Sequence, residues 1–450
     1  MTTTQATAPA TSGWFGHPSG LSTLFFTEIW ERFSYYGMRA FLILYMTAPH
    51  AAGGLEFDVK HAGSVYGTYT SSAWAGAIFG GIIADRWLGQ YRSVLIGGII
   101  IALGHFTLAF ETMPSFYAGL AFIVIGTGLL KPNVSTLVGG LYEQGDTRRD
   151  AGFSIFYMGV NLGAASGPLI AGWIAQKVSW HLGFACAGVG MLLGLTQYIR
   201  GRRRLEPAFQ RLAQRTPRPV TGAPAAPATG GLLGFTGAEW KRIAAMFVFF
   251  AFASVFWMAY EQAGSTLNLF GDRYTRLEVL GFHFPSSWFV AVQAIFVILL
   301  APVFAWLWVR LGSREPSSPA KFAWGLFFIG LSFVLLMPAA AYAQSGEGVR
   351  VSPLWLIACY FVQELGELSV SPVGLSVFTK LAPVKITGMM LGVWFLSNAL
   401  GNKLSGWTAG FFTTMPLQQL FLSIAAVCIG SALVLVFLVK PVKRLMGGVH

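Results

Sequence analysis

At 450 residues the chain has the length of about three soluble domains, yet 54% of its residues are hydrophobic and only 11% are charged, against about 25% charged in soluble proteins. Mean hydropathy is +0.60, so lipid must solvate much of the surface. That excludes a soluble enzyme, a secreted disulfide scaffold and a disordered tail. Only a helical bundle or a closed barrel satisfies its backbone in a bilayer. The apolar runs extend past the roughly 18 residues that mark a helical span, far beyond the roughly 10 alternating residues of a membrane strand. The pattern predicts an all-α membrane protein.

In chain order, residues 1–23 read as a cytoplasmic tail. Their Thr-, Ala- and Pro-rich start has no basic n-region, and no A-x-A cleavage site follows the apolar run that begins at Leu24. The apolar run from Leu24 therefore reads as a retained first span rather than a cleaved signal. Spans are expected near 24–47, 62–84, 93–110, 115–140, 152–175 and 180–199, a six-helix bundle over 24–199. Residues 200–239 follow as a polar cytoplasmic linker. Arg200, Arg202, Arg203, Arg204, Arg211, Arg215 and Arg218 charge it, and Pro217, Pro219, Pro224 and Pro227 stiffen it. Spans resume near 240–270, 287–309, 322–343, 353–379, 386–412 and 417–439, a second six-helix bundle over 240–440, with 441–450 as a cytoplasmic tail. Cys186, Cys359 and Cys428 lie inside apolar runs and read as small core residues.

Placement of the basic residues disposes of nucleic acid as the cause of the +12 net charge. With a cytoplasmic N-terminus, 21 of the 30 Lys and Arg fall in loops and tails on that side. Five (Lys60, Lys177, Arg273, Arg276 and Arg350) fall on the other, and Arg32, Arg39, Lys131 and Lys403 lie within spans. The asymmetry places both termini in the cytoplasm.

The loop Gly81-Ile82-Ile83-Ala84-Asp85-Arg86-Trp87-Leu88-Gly89-Gln90-Tyr91-Arg92 has a fainter echo in Ala305 to Arg314, at the corresponding place in the second half. The first resembles the loop signature of the major facilitator superfamily, with one residue inserted before the glycine. That resemblance implies twelve helices in two six-helix bundles.

Ionisable side chains at mid-bilayer cost roughly 2.5–3.5 kcal/mol each on insertion scales, so each needs a reason. Glu28, Glu31, Arg32, Tyr35 and Arg39 share one helical stripe of the first span. That stripe must face a water-filled cavity or charged neighbours. Lys131, Glu261, Glu364, Glu367 and Lys403 complete the intramembrane set. Four cations face five acids, so mutual pairing is expected, with a surplus carboxylate able to carry a proton. His105, inside a span, and Lys403 read as structural.

The ten residues Glu28-Ile29-Trp30-Glu31-Arg32-Phe33-Ser34-Tyr35-Tyr36-Gly37 resemble the E-x-x-E-R-F-x-Y-Y-G signature of the proton-dependent oligopeptide transporter family. Phe156-Tyr157-Met158-Gly159-Val160-Asn161-Leu162-Gly163 is similar to its fifth-span element, with Val160 for the usual isoleucine. Gly128 to Asn133 resembles its fourth-span lysine-proline element. Phe256-Trp257 with Tyr260-Glu261-Gln262, and Gly366-Glu367 with Ser371 to Ser376, match its seventh and tenth spans. The resemblance covers both halves in order. It implies a symporter, not an enzyme, importing di- and tripeptides with protons across a bacterial plasma (inner) membrane. The proton gradient drives it, and no cofactor or obligate protein partner is evident; peptides, protons and membrane lipid are the expected partners. In the family, residues matching Arg32 and Lys131 attract the peptide carboxylate. Those matching Glu367 and Asn161 hold the ammonium, and the one matching Glu261 exchanges a proton and pairs with the lysine. Glu28 and Glu31 join Arg32, Lys131 and Glu261 in proton coupling.

Elementary charge matching agrees. A zwitterionic peptide is clamped at its ends by cations in one half and an acid in the other, so side chains vary freely. Tyr35, Tyr36, Tyr69, Trp257 and Trp394 are candidates for the cavity wall, and Asn398 belongs to a polar stripe on the eleventh span. Gln293 reads as a peptide contact or a helix-packing residue. Glu364 reads as a second proton site or a structural acid. A nitrate or other small-solute carrier of the same fold remains an alternative, as, in a different class, does a membrane-embedded enzyme or a channel. Against the enzyme, the sequence has no H-E-x-x-H, no paired catalytic aspartates on facing spans and no G-x-S-x-G. Against the channel, the two-half organisation favours alternating access.

Overall fold

The computed structural model describes residues 13–143, 145–215, 234–383 and 386–447. Pro217, Arg218, Pro219, Pro224 and Pro227 of the expected linker, and Lys385, lie outside the described residues. Among the described residues, twelve membrane spans are built from α-helices. The first bundle holds α1 (Gly20–Thr47), α2 (Val59–Ile83), α3 (Gly89–Leu108) and α4 (Met113–Gly140). In the same bundle α5 (Arg149–Gly167) continues through a π-helical turn into α6 (Trp173–Lys177), and α7 (Trp180–Arg200) closes it. After α8 (Glu206–Arg215) come α9 (Gly237–Tyr260) with α10 (Thr266–Tyr274), α11 (Trp288–Leu311) and α12 (Ser318–Ala343). The last three are α13 (Leu354–Leu381), α14 (Thr387–Ala409) and α15 (Leu417–Leu445). A small antiparallel hairpin, β1 (Glu278–Val279) and β2 (Phe282–His283), lies between α10 and α11.

Among the described residues, length and hydropathy alone single out eight stretches able to cross a membrane. One of them, Val59–Leu108, is two spans, because Gly89 at φ +72° leaves the helical path between α2 and α3. The remaining spans are α1, α13 and α14, of 28, 28 and 23 residues. Their polar side chains depress their hydropathy. Those are the helices that carry most of the buried charge and amide groups described below.

Capping fixes where helices begin. Thr112 and Ser115 bond reciprocally at the start of α4. At α9 the Thr236 N–H donates to Glu239 Oε2 (2.7 Å) and the Glu239 N–H to Thr236 Oγ1 (3.2 Å), so two donors of the first turn find acceptors.

The expected linker is not all extended chain. Residues 202–205 form a 3-10 turn and α8 follows directly. Leu205, Ala208, Phe209 and Leu212 recur at helical spacing and turn one apolar face onto the first bundle. Arg211 Nη1 donates to the Leu141 carbonyl at 2.9 Å, tying α8 to the end of α4. Arginine density masked this periodicity in the sequence.

Gly159, Gly163 and Gly167 of α5 recur every fourth residue and let α5 lie against α1. A Cβ at these positions would meet Phe25, the Ile29 carbonyl with Arg32, and the Phe33 carbonyl with Gly37, respectively. Small residues at this spacing bring helix backbones together in lipid. Gly163→Val should therefore push α1 and its charged stripe off α5. Overpacking typically costs about 1–3 kcal/mol, expected as a lower melting temperature in detergent; an unchanged melting temperature would contradict the close packing.

The halves meet along α2 with α14, where Gly63 and Gly67 lie against Gly406, and along α5 with α11, where Ala164 and Ala165 meet Ala294. Polar ties between halves gather at the end where α1 finishes. Asn268 Nδ2 donates to the Ala40 carbonyl (2.7 Å), Trp288 Nε1 to the Leu169 carbonyl (3.0 Å), and Gln176 Oε1 accepts from the Ser287 N–H (2.9 Å). At the opposite, basic end, the last turns of α11 are largely exposed.

Candidate functional site

The α1 stripe is buried inside the protein, as its cost in lipid requires. Glu28, Glu31, Arg32, Tyr35 and Arg39 are each at most 6% exposed. Arg32 Nε bonds the Glu31 carboxylate and lies 3.2 Å from Glu28 Oε1, so one guanidinium serves two acids. Its Cζ stands 5.3 Å from the Tyr35 ring and 5.9 Å from the Tyr36 ring. Tyr69 of α2 stacks on Tyr35 with ring centroids 6.5 Å apart.

Glu261 owes its position to a break. After Tyr260 the seventh span tightens into the 3-10 turn Glu261–Gly264 and restarts at Thr266. Gln262 Nε2 bonds back to the Met258 carbonyl at 3.1 Å, satisfying an acceptor at the helix end. The break turns the Glu261 carboxylate toward the other half, where it pairs with Arg39 Nη2. Arg39 Nε also donates to Tyr66 Oη at 2.6 Å. Gly264 makes room, since a Cβ there would overlap the Tyr66 hydroxyl. The expected partner of Glu261 was Lys131, and here Arg39 takes that place. Two turns beyond Arg32, Arg39 is on the same stripe, but its partner is 222 residues away and no local spacing reveals it.

Lys131 instead places its Nζ 3.0 Å from the centroid of the Trp74 ring, a cation–π contact. The next residue, Pro132, has no N–H to give α4. Asn133 supplies a donor nearby, bonding the carbonyl of Leu129 (2.7 Å) and that of Gly80 on α2 (3.4 Å). The lysine-proline-asparagine element thus carries a cation at a loosened, side-chain-bridged part of the helix.

In the second half, α13 carries Glu364 and Glu367, 0% and 5% exposed. Tyr260 Oη donates to Glu364 Oε1 at 3.0 Å. Tyr157 of α5 and Ser371 flank Glu367. Asn161 donates to the Tyr157 carbonyl at 3.0 Å and sits beside this tyrosine. Tyr36 links the two clusters. It lies within electrostatic reach of Arg32, Arg39 and Glu261 on one side and of Tyr157 and Tyr260 on the other.

The remaining candidates divide. Trp257 is buried, edge-on to Tyr260 with ring centroids 5.5 Å apart, and its Nε1 has no partner. Trp394 lies over Gly374 and against Phe378 and Phe322, which makes it core of the second bundle. Gln293 donates to Gln363 Oε1 at 3.1 Å, the helix-packing alternative. Asn398 is buried on α14, its carbonyl accepting from Asn402. His105 is fully buried without a side-chain partner. Lys403 is exposed and donates to Thr68 Oγ1 of α2 at 2.6 Å, bridging the halves. Tyr66, Trp74, Tyr157 and Tyr260 were not singled out in the sequence, although Tyr157 and Tyr260 stand inside the quoted motifs.

Some buried polar atoms without partners stand at these two clusters. Around Arg32 they are Arg32 Nη2 and the Tyr35 and Tyr69 hydroxyls; beside Tyr157 and Tyr260 they are Glu364 Oε2 and Glu367 Oε2. The sequence matches the profile of the POT family over residues 91–208 and 236–426. The chain belongs to the POT family. It is 37% identical to the peptide transporter YePEPT of Yersinia enterocolitica over 98% of both chains, and 35% identical to a di-/tripeptide transporter of Lactococcus lactis subsp. cremoris over 97% and 98%. Among solved structures it is similar to a peptide transporter POT in complex with sulfate, with a TM-score of 0.87, 38% identity and 98% of each chain covered. This POT family chain is an integral membrane protein of the major facilitator fold, and a transporter rather than an enzyme. The profile omits the first 90 residues, so the charged stripe of α1 stands as evidence separate from that match.

Proposed function

We propose that the protein is a proton-coupled symporter importing di- and tripeptides by alternating access, with the basic loops and both termini on the cytoplasmic side of the plasma (inner) membrane. One observation carries the reading: partnerless donors at Arg32 and Tyr35 lie on one side of Tyr36, and Tyr157, which flanks the partnerless oxygen of Glu367, lies on its other side. A peptide carboxylate satisfies the first set and a peptide ammonium the second. Arg32 and Lys131 receive the carboxylate, and Glu367, with Asn161 and Tyr157 beside it, receives the ammonium. Tyr35, Tyr36 and Tyr69 wall the first half and Trp257 the second, while Trp394, Gln293 and Asn398 support α11, α13 and α14 from within the bundle. The proton gradient is the energy source, and no cofactor is needed.

Coupling follows from the Arg39–Glu261 pair, which joins the bundles at the end where α1 finishes. A proton on Glu261 from outside removes the charge that holds Arg39 and frees that end to open. Its loss to the inside re-forms the tie. Glu28 and Glu31 share Arg32, so a carboxylate arriving at Arg32 competes with them and favours a proton on one of them. Peptide and proton then enter together.

A competition panel tests the reading. Uptake of external labelled Ala-Ala into proteoliposomes with an inward proton gradient is measured, and unlabelled Ala-Ala, tri-alanine, N-acetyl-Ala-Ala and nitrate are offered as competitors. The first two are expected to compete and the last two to fail. Competition by nitrate equal to that of Ala-Ala would reject the peptide clamp.

A further inference from the structure

Glu364 has no part in the clamp, yet it lies one turn before Glu367 and is fully buried. One oxygen accepts from Tyr260; its other oxygen, and one of Glu367, are buried without partners. The groups at the pair are neutral: Tyr260 from α9, Tyr157 from α5 and Ser371 from α13 itself, with Tyr36 of α1 near the two tyrosines. From α11 comes the amide of Gln293, committed to Gln363. Among the described residues no ion pair reaches either acid. Arg32 and Arg39 are held by other carboxylates, Lys131 stands over Trp74, Lys321 of α12 pairs with Glu315, and Lys403 of α14 bonds Thr68.

Carboxyls three residues apart on a helix have Cβ atoms about 5–6 Å apart. Away from water and with no cation beside them, both cannot be ionised, and they titrate as a unit. Meanwhile a peptide with an uncharged side chain brings one ammonium to two acids.

We propose that Glu364 and Glu367 form a second proton-binding site, which holds one proton between the two carboxyls and gives it up when the first residue of the substrate carries a second ammonium. This rests on Glu367 as the partner of the peptide ammonium. The exchange balances: a carboxylic acid and an ammonium become a carboxylate–ammonium pair, and the released H⁺ leaves to water in the cleft. Ala-Ala travels with the proton on the pair. Lys-Ala replaces that proton with its side-chain ammonium, so the charge moved per cycle is the same and the proton count is one lower.

Proteoliposomes decide this when the pH and voltage gradients that just halt net uptake are found for each peptide, which counts protons per substrate. The expected result is one proton fewer for Lys-Ala than for Ala-Ala in the unaltered protein, and equal counts in Glu364→Gln. Equal counts in the unaltered protein overturn the proposal, even if the variant fails to fold. A one-proton difference that survives in Glu364→Gln overturns it as well. If the unaltered protein accumulates no Ala-Ala at all, the peptide-carrier reading falls instead, and the two failures are distinct.

Discussion

Glu261→Gln is expected to abolish gradient-driven accumulation of Ala-Ala while exchange of labelled for unlabelled peptide across the membrane persists. The carboxylate is buried, paired with Arg39 across the two bundles, and set at a helix break that aims it there. Glutamine keeps the shape and gives up the titration, so the end of the protein closed by that pair no longer answers to the outside proton concentration. A charge moving through 100 mV supplies about 2.3 kcal/mol, roughly 50-fold accumulation at about 1.4 kcal/mol per tenfold. That ratio should fall to about one in the variant, as read by labelled peptide inside proteoliposomes at steady state. Accumulation equal to that of the unaltered protein would remove Glu261 from the coupling path.

Glu367→Gln is the second large effect, and it acts on binding. The buried carboxyl is flanked by Tyr157 and Ser371 and has an oxygen without a partner. Truncating one member of a buried charge pair costs about 2–5 kcal/mol, so the KM for Ala-Ala should rise roughly 30-fold or more. N-acetyl-Ala-Ala removes the other member. In the unaltered protein it should bind as poorly as Ala-Ala binds to the variant, and the variant should discriminate little between the two peptides. Additive losses from the two changes, seen as unchanged discrimination in Glu367→Gln, would separate Glu367 from the ammonium.

The spans were legible in the sequence because each apolar run must be a helix in lipid and is bounded by charge, proline or glycine. Expected and observed limits of the first span differ by four residues at its start and by none at its end, Thr47. The α1 stripe was legible for a related reason: five ionisable groups at helical spacing cannot face lipid. What stayed hidden depends on tertiary contact. Arg39 was visible as a buried cation, while its pairing with Glu261 depends on the break after Tyr260 and the space at Gly264. Trp394 looked like a cavity wall, and Gly374, twenty residues earlier, lets it sink into the second bundle. Tyrosine composition does not say which hydroxyl meets a carboxyl, and the bond from Tyr260 to Glu364 depends on how α9 packs against α13. Glu364 was visible as a charge, but its lack of a cationic partner among the described residues could not be read from one helix. Apolar periodicity in α8 was present in Leu205, Ala208, Phe209 and Leu212, and the surrounding arginines outweighed it.

Protonophore sensitivity of concentrative uptake bears most directly on the link between proton and peptide. With an inward proton gradient imposed on proteoliposomes, internal Ala-Ala is expected to rise well above its external concentration and to drain back to equality when a protonophore is added. Uptake that stops at equality before the protonophore, or an accumulated pool that the protonophore leaves intact, would contradict it.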